Sequence, residues 1–256
     1  MTIHALDRNA FLAALAASEF ALLRNHLMPL QLRVSEGLHY AGDAIDDVIF
    51  PHSGLVAMSV PLPGDAGAGV ILVGRDNIVG GFAAAAAVPA GCNAEVLIAG
   101  EASRMSASAF RYILDHSPVI RRLAARFDAA LLAQAQQTAL CNAAHPVEAR
   151  ICRWLLDIQD RCSSNKVPLT QAALAQMLAV RRTTVTLIAG QLETAGAIAC
   201  HRGAMQITRR EVLEEHSCEC YAHLKGYQQR LFAPASHALS TGDGAAAHQR
   251  PEAQAL

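Results

Sequence analysis

The sequence predicts an α+β fold in three parts: an N-terminal β-roll of the jelly-roll type, a long helix, and a C-terminal group of short helices closed by a β-hairpin. Three patterns carry this. Between Gln31 and Arg104, short Val/Ile/Leu runs are cut by Gly42-Asp43, Ser53-Gly54, Pro63-Gly64-Asp65, Gly74-Arg75-Asp76, Gly91 and Gly100, which is the punctuation of a compact all-β unit. After Pro118, apolar residues recur at close to period 3.5 until about Ala143. Beyond Pro168, two helical patterns precede a hairpin pattern from Ile198 to Ile207 that turns at Arg202-Gly203.

Taken in order, residues 7–28 read as one helix, with Phe11, Leu12, Leu15, Phe20, Leu22, Leu23 and Leu27 at three- and four-residue steps. Asp46 to Val60 and Val70 to Val73 are the clearest strands. The run Phe82–Val88 interrupts them, because its five alanines favour helix. Ser106 to about Leu114 is helical, and Pro118 suits the first turn of the long helix. On that helix Ile120, Leu123, Phe127, Leu131, Gln134, Thr138 and Cys141 form a seam, apolar in its first half and polar in its second. Periodicity alone allows two partners for it: the core of its own domain or a second copy of the chain. His145-Pro146 breaks the chain, and Glu148 to Arg161 forms the next helix, ended by Ser163-Ser164-Asn165. The tail from Ala233 has no periodic apolar face and is expected to be disordered. The expected division is a sensor-like β-roll over 1–117, a connecting helix over 118–144, a rear domain over 145–232 and a tail over 233–256.

Composition sets the limits. At 256 residues and 52% hydrophobic, the chain can bury a core, and its 17% charged share argues against wholesale disorder. The net charge of −1 excludes a uniformly basic coat but hides a split. Residues 1–117 carry 6 Lys/Arg against 11 Asp/Glu, whereas residues 145–232 carry 11 against 8. A polyanionic partner therefore belongs at the rear. Neither a basic-then-apolar leader nor an apolar stretch of membrane-spanning length is apparent, so the expectation is a cytoplasmic chain with no membrane partner and with its seven cysteines as thiols.

The most informative stretch is Thr170–Ala195, TQAALAQMLAVRRTTVTLIAGQLETA. A helix-turn-helix needs apolar residues at fixed offsets and a small residue where its helices touch. Leu174, Leu178, Val180, Val185 and Ile188 supply the first, and Ala175 the second. Ala179 stands at the turn position usually given to glycine, and costs about 1 kcal/mol if it must adopt positive φ. Arg181, Arg182, Thr183 and Thr186 occupy the outward, N-terminal turns of the second helix, which in this motif enter the DNA major groove. Arginine can bond guanine O6 and N7 together, and threonine can reach a base edge or the thymine methyl. Thr170 is a good N-cap and, with Gln171, sits where the first helix meets phosphate. The hairpin behind makes a wing with Arg202 at its tip. The rear domain thus reads as a winged helix-turn-helix that binds double-stranded DNA.

The order of parts resembles the Crp/Fnr superfamily of bacterial transcription regulators over about residues 10–225. LHYAGDAIDDVIFPHSGLVAMSV is similar to that family's β-roll opening, VGRDNIVGGF to the approach to its ligand cassette, MLAVRRTTVT to its recognition helix and ITRREVLEEHSCECY to its closing segment. The resemblance implies a homodimer joined along residues 118–143, with Ile120, Leu123, Phe127, Leu131 and Gln134 in the seam. It implies a two-fold operator and Arg182 as principal base reader, with recognition helices about 34 Å apart. It also implies an effector site in the β-roll at Gly80, Gly81, Phe82, Cys92 and Asn93.

There the chain departs from the family's pattern. Cyclic-nucleotide binders carry Gly-Glu, then Arg-Ser or Arg-Thr about ten residues on; this chain has Gly80-Gly81 and Cys92-Asn93-Ala94. Losing the Arg–phosphate pair costs about 2–5 kcal/mol, so cyclic AMP is not expected to be the effector. The Phe82–Val88 run suits a small apolar ligand or, preferably, a merely packed core. No cysteine precedes Cys92, so the N-terminal iron–sulfur ligands of oxygen-sensing relatives are absent.

His216, Cys218, Cys220 and His223 fit no common zinc spacing, and a helix would turn the two cysteines to different sides. A metal or redox site is the sharper reading of this group, and thiols that pack the last helix, with Cys141 and Cys152 packing at the hinge, are the preferred one, so no cofactor and no metal are expected. No set of catalytic groups is visible, so an enzyme is not expected. The competing function is a protein-interaction module that docks RNA polymerase or another regulator with little DNA specificity.

Overall fold

The computed structural model describes residues 9–61, 68–162 and 164–233. The segment read as one helix over 7–28 is instead two short helices, α1 (Ala10–Ala13) and α2 (Ala17–Arg24), followed by strand β1 (Met28–Leu32). Asn9 caps α1 and donates to the carbonyls of Pro51 and Asn77, 2.9 and 3.0 Å away. Met28 leaves the helical pattern because it opens a strand that pairs with residues some seventy positions later.

The β-roll follows: β2 (Gly37–His39), β3 (Asp47–Pro51), β4 (Leu55–Val60), β5 (Ala68–Val73), helix α3 (Gly81–Ala86), β6 (Asn93–Ile98) and β7 (Gly100–Ser106). They form two antiparallel sheets, ordered β1-β7-β3 and β2-β6-β4-β5. The expected run Asp46–Val60 is thus two strands in different sheets, divided by the turn at Gly54 (φ +78°), whose absent side chain would collide with the Ile98 carbonyl at 2.6 Å. Leu32, Ile49, Val56, Val73, Val79 and Val96 fill the roll.

Helix α4 (Ala107–His116) is capped by Ser106, and α5 (Pro118–Ala144) begins with Pro118 at its first turn and Ser117 as cap. Phe11, Phe50, Phe110 and Phe127 join the roll to α5, with ring centroids 5.2 to 6.4 Å apart. Next come α6 (Val147–Cys162), β8 (Lys166–Val167), α7 (Gln171–Leu178), α8 (Arg182–Thr194), the hairpin β9 (Ile198–His201) and β10 (Ala204–Ile207), α9 (Arg210–His216) and α10 (Cys220–Phe232). Among the described residues no helix is long and apolar enough to cross a membrane. Ser163 and the tail from residue 234, expected to be disordered, lie outside the described residues.

Front and rear share one core. Leu55, Leu72 and Ile98 of the roll pack in the same cluster as Trp154, Leu155, Leu174, Met177, Val185 and Ile198. Gly69 on β5 lets α7 approach closely: a side-chain carbon there would lie 3.2 Å from both the Cα and the carbonyl oxygen of Met177. Arg161 of α6 reaches Asp76 of the roll at 3.1 Å and Asp157 at 3.6 Å.

The expected dimer seam lies inside the protomer. Ile120, Phe127 and Gln134 are buried, and Leu123 and Leu131 are half-buried. The stripe is real, but the β-roll and α10 cover it: the Phe127 ring stacks 4.6 Å from Phe232. With its amide turned to suit its neighbours, Gln134 donates to the Leu72 carbonyl at 3.1 Å and accepts from Arg161 at 3.0 Å. At 100° per residue, the opposite face of α5 carries Ala125, Ala129, Leu132, Gln136 and Leu140, and Leu132 and Leu140 are 59% and 57% exposed.

Candidate nucleic-acid interface

Helices α7 and α8 owe their mutual placement to buried side chains. Leu174, Ala175, Met177 and Leu178 on α7 meet Val185, Ile188, Ala189 and Leu192 on α8. Thr170 caps α7, its hydroxyl accepting from the Ala173 amide at 3.0 Å. At the other end Ala179 sits at φ 52°, ψ 45°. Its amide donates to the Gln176 carbonyl at 3.1 Å, and that of Val180 to the Ala175 carbonyl at 3.0 Å. This double closure is a Schellman motif, which places its left-handed residue where glycine is cheapest. The condition set by the sequence is met: an alanine occupies a left-handed turn.

Burying those offsets turns the other face of α8 outward. Arg181 precedes the helix in an extended conformation, Arg182 is its first residue, and Arg181, Arg182, Thr183 and Thr186 are all exposed. The wing hairpin pairs His201 with Ala204, Gly203 takes the turn at φ +77°, and Arg202 is exposed at the tip. These cations have no carboxylate within ion-pair distance among the described residues. A surface of unneutralised guanidiniums at a helix N-terminus, with a wing beside it, can take up phosphate and present donors to base edges.

Thr170 is exposed, as a phosphate contact requires, but Gln171 is half-buried and engaged within the motif. Its Oε1 faces the Thr186 hydroxyl at 2.8 Å, and its Nε2 points at Cys200 Sγ, 3.9 Å away in the wing. Gln171 joins the two helices and the wing to one another, a role its place in the sequence does not reveal.

The expected effector residues have separate roles in the structure. Gly80 takes φ +80° before α3, and a side chain on Gly81 would strike Ile78 at 2.5 Å. Phe82 is 64% exposed, so it neither packs a core nor lines a pocket. From the alanine run Ala84 is buried and Ala83 packs half-buried against the same core, because a six-residue helix offers a single inward stripe. Asn93 Oδ1 accepts from the Ala41 amide at 2.9 Å, and Cys92 is half-buried with its thiol pushed up by that burial. Five cavities of about 280 to 510 Å³ among the described residues are lined by none of the five.

One expectation about the cysteines changes. Cys218 lies before α10 and Cys220 is its first residue, so the chain bends between them and both turn to one place beside Cys141 and His145. His216 instead meets Glu148 at 2.9 Å, and His223 is exposed.

Comparison with known proteins agrees with this geometry. Residues 149–216 match the family model of the Crp-like helix-turn-helix domain. Among solved structures, the chain is similar to a putative transcriptional regulator of the crp/fnr family from Eubacterium rectale (12% identity, 82% of this chain and 98% of that one, TM-score 0.65). It is also similar to FixK2 from Bradyrhizobium japonicum (15%, 75% and 98%, 0.64) and to the c-di-GMP responsive global regulator CLP of Xanthomonas campestris (14%, 76% and 100%, 0.63). No curated protein matches the sequence.

Proposed function

We propose that this chain, a Crp/Fnr-type regulator by its Crp-like helix-turn-helix domain and its fold, controls transcription by reading a two-fold DNA site as a homodimer. One observation carries the reading: Arg181, Arg182, Thr183 and Thr186 stand exposed on the outer face of α8 while Val185, Ile188 and Leu192 anchor its inner face. Arg182 reads base edges, Thr183 and Thr186 flank it, and Thr170 and Arg202 hold phosphate. The protomers pair through the outer face of α5, where Ala125, Leu132, Gln136 and Leu140 are exposed and Ala129 is half-buried. Missing charged partners at Gly81 and Asn93 argue against a cyclic nucleotide as effector.

The test is selection of bound sequences from random duplex DNA, followed by titration of the selected site against scrambled duplex at several salt concentrations. A two-fold consensus with half-sites one helical turn apart is expected, with affinity falling steeply as salt rises. Arg182→Ala should lose about 1–3 kcal/mol on the selected site and little on scrambled DNA. Equal losses on both would remove Arg182 as base reader, and the absence of any consensus would favour a protein-docking module.

A further inference from the structure

We propose that Cys141, His145, Cys218 and Cys220 form a mononuclear Cys3His zinc site that fastens the α5–α6 hinge to the start of α10. The four donor atoms lie within 4.8 Å of one another. Cys141 Sγ is 3.5 Å from Cys218 Sγ, and Cys220 Sγ is 3.5 Å from His145 Nδ1. A tetrahedral zinc ion with ordinary bond lengths holds sulfur pairs about 3.8 Å apart and sulfur–nitrogen pairs about 3.6 Å apart. Two edges of the tetrahedron are therefore near their bonded length, and no other edge needs to contract by more than about 1 Å on binding.

Three further features favour a metal over a packing cluster. The imidazole is already oriented: His145 Nε2 lies 3.2 Å from Glu219 Oε1, which puts the ring proton on Nε2 and leaves the Nδ1 lone pair facing the sulfurs. A carboxylate behind a ligating histidine is the usual outer partner of a zinc site, and thiols that merely fill space need neither group. The thiols also stand apart from the three larger cores, in a small cluster of their own with Ala149. Finally, the buried guanidinium of Arg150 bonds only the Leu178 carbonyl, has no carboxylate partner among the described residues, and lies within electrostatic reach of the Cys141 thiol. Three thiolates and one neutral imidazole around Zn²⁺ carry a net charge of −1, which this cation and the neighbouring Arg153 offset.

Binding releases three thiol protons to solvent and forms three Zn–S bonds and one Zn–N bond, with no change of oxidation state. Four protein donors leave no open position, so the site is structural. It ties together residues 77 positions apart at the point where His145-Pro146 turns the chain from the long helix towards the DNA-facing domain. The spread of the donors suits one ion rather than a multi-iron cluster, whose thiolates stand farther apart.

The full-length chain, reduced and stripped with a chelator, is titrated with Co²⁺ and then with Zn²⁺, in the absence of DNA, so the outcome is independent of the DNA reading. One Co²⁺ per chain is expected, with thiolate-to-cobalt charge transfer and tetrahedral d–d bands, displaced by one equivalent of Zn²⁺. Glu219→Gln, at an 81% exposed side chain that leaves folding undisturbed, should weaken Zn²⁺ about 10–100-fold. Cys218→Ser should cut the charge-transfer intensity, and Cys92→Ser should leave it unchanged. If Cys218→Ser fails to fold, the Glu219→Gln affinity decides. The proposal is overturned by any of four results: no cobalt bands from the reduced, folded chain; bands indifferent to Cys218→Ser together with a Zn²⁺ affinity indifferent to Glu219→Gln; iron and sulfide in place of zinc; or a Cys141–Cys218 disulfide that takes up no metal after reduction.

Discussion

Thr186 on the outer face of α8 turns its hydroxyl to Gln171 Oε1, 2.8 Å away at the start of α7. The Thr186 hydroxyl also lies 3.1 Å from the Arg182 carbonyl one turn back, so its single hydrogen is shared inside the motif. No donor remains for DNA, and the Thr186 methyl is its apolar contact surface. Thr186→Val keeps that surface and removes the hydroxyl. It should cost about 0.5–1.5 kcal/mol in chemical denaturation while leaving the selected DNA consensus unchanged; a changed consensus would show that the hydroxyl reads a base.

The left-handed Ala179 makes a stabilising substitution available. Ala179→Gly removes the Cβ clash at φ 52° and, after the entropy of a freer unfolded chain, should raise stability by about 0.5–1 kcal/mol. Thermal melting checks this, and a lowered Tm would mean that the turn relaxes without strain.

The two faces of α5 should respond differently to substitution. Phe127→Ala opens a hole between Phe11 and Phe232 and should cost about 3–5 kcal/mol of folding stability. Leu132→Glu puts charge on the exposed face and should leave the protomer folded but separate the copies in analytical ultracentrifugation. A dimer that survives Leu132→Glu would move the interface elsewhere.

Asp128 gives a pH signature. Burial on α5 raises its carboxyl to about 6, with no side-chain partner among the described residues to hold the charge. The folded chain therefore binds the proton more tightly than the unfolded chain. From about pH 4 to pH 6 the folded state holds more protons, and this residue's contribution to stability falls as pH rises through that window. Asp128→Asn should flatten the decline and add about 1–2 kcal/mol at pH 7, measured by denaturation across pH.

What could be read from the sequence was what is local. The α7–α8 unit, its Thr170 cap and the wing turn depend on neighbours within a few residues, and each stands where periodicity and turn chemistry put it. Residues 7–28 misled because the apolar residues keep one spacing across the stretch, while Ala14–Ala16 divide it into two helices and Met28 already belongs to the strand that pairs with Gly100–Arg104. The seam on α5, apolar in its first half and polar in its second, was legible but what covers it was not, since periodicity cannot say whether β5, α10 or a second copy covers a stripe. Gln171 gave no sign of its bond to Thr186, fifteen residues away. The convergence of Cys141 with Cys218 was equally invisible, because spacing rules for metal ligands presume short loops.

The apolar cluster that runs from Leu55, Leu72 and Ile98 through Trp154 to Ile198 has a practical corollary for dissection. A fragment cut at His145 would carry away half of a joint filling and leave raw hydrocarbon on both pieces. Neither piece should stay in solution as well as the parent, and heat should melt the parent in a single step.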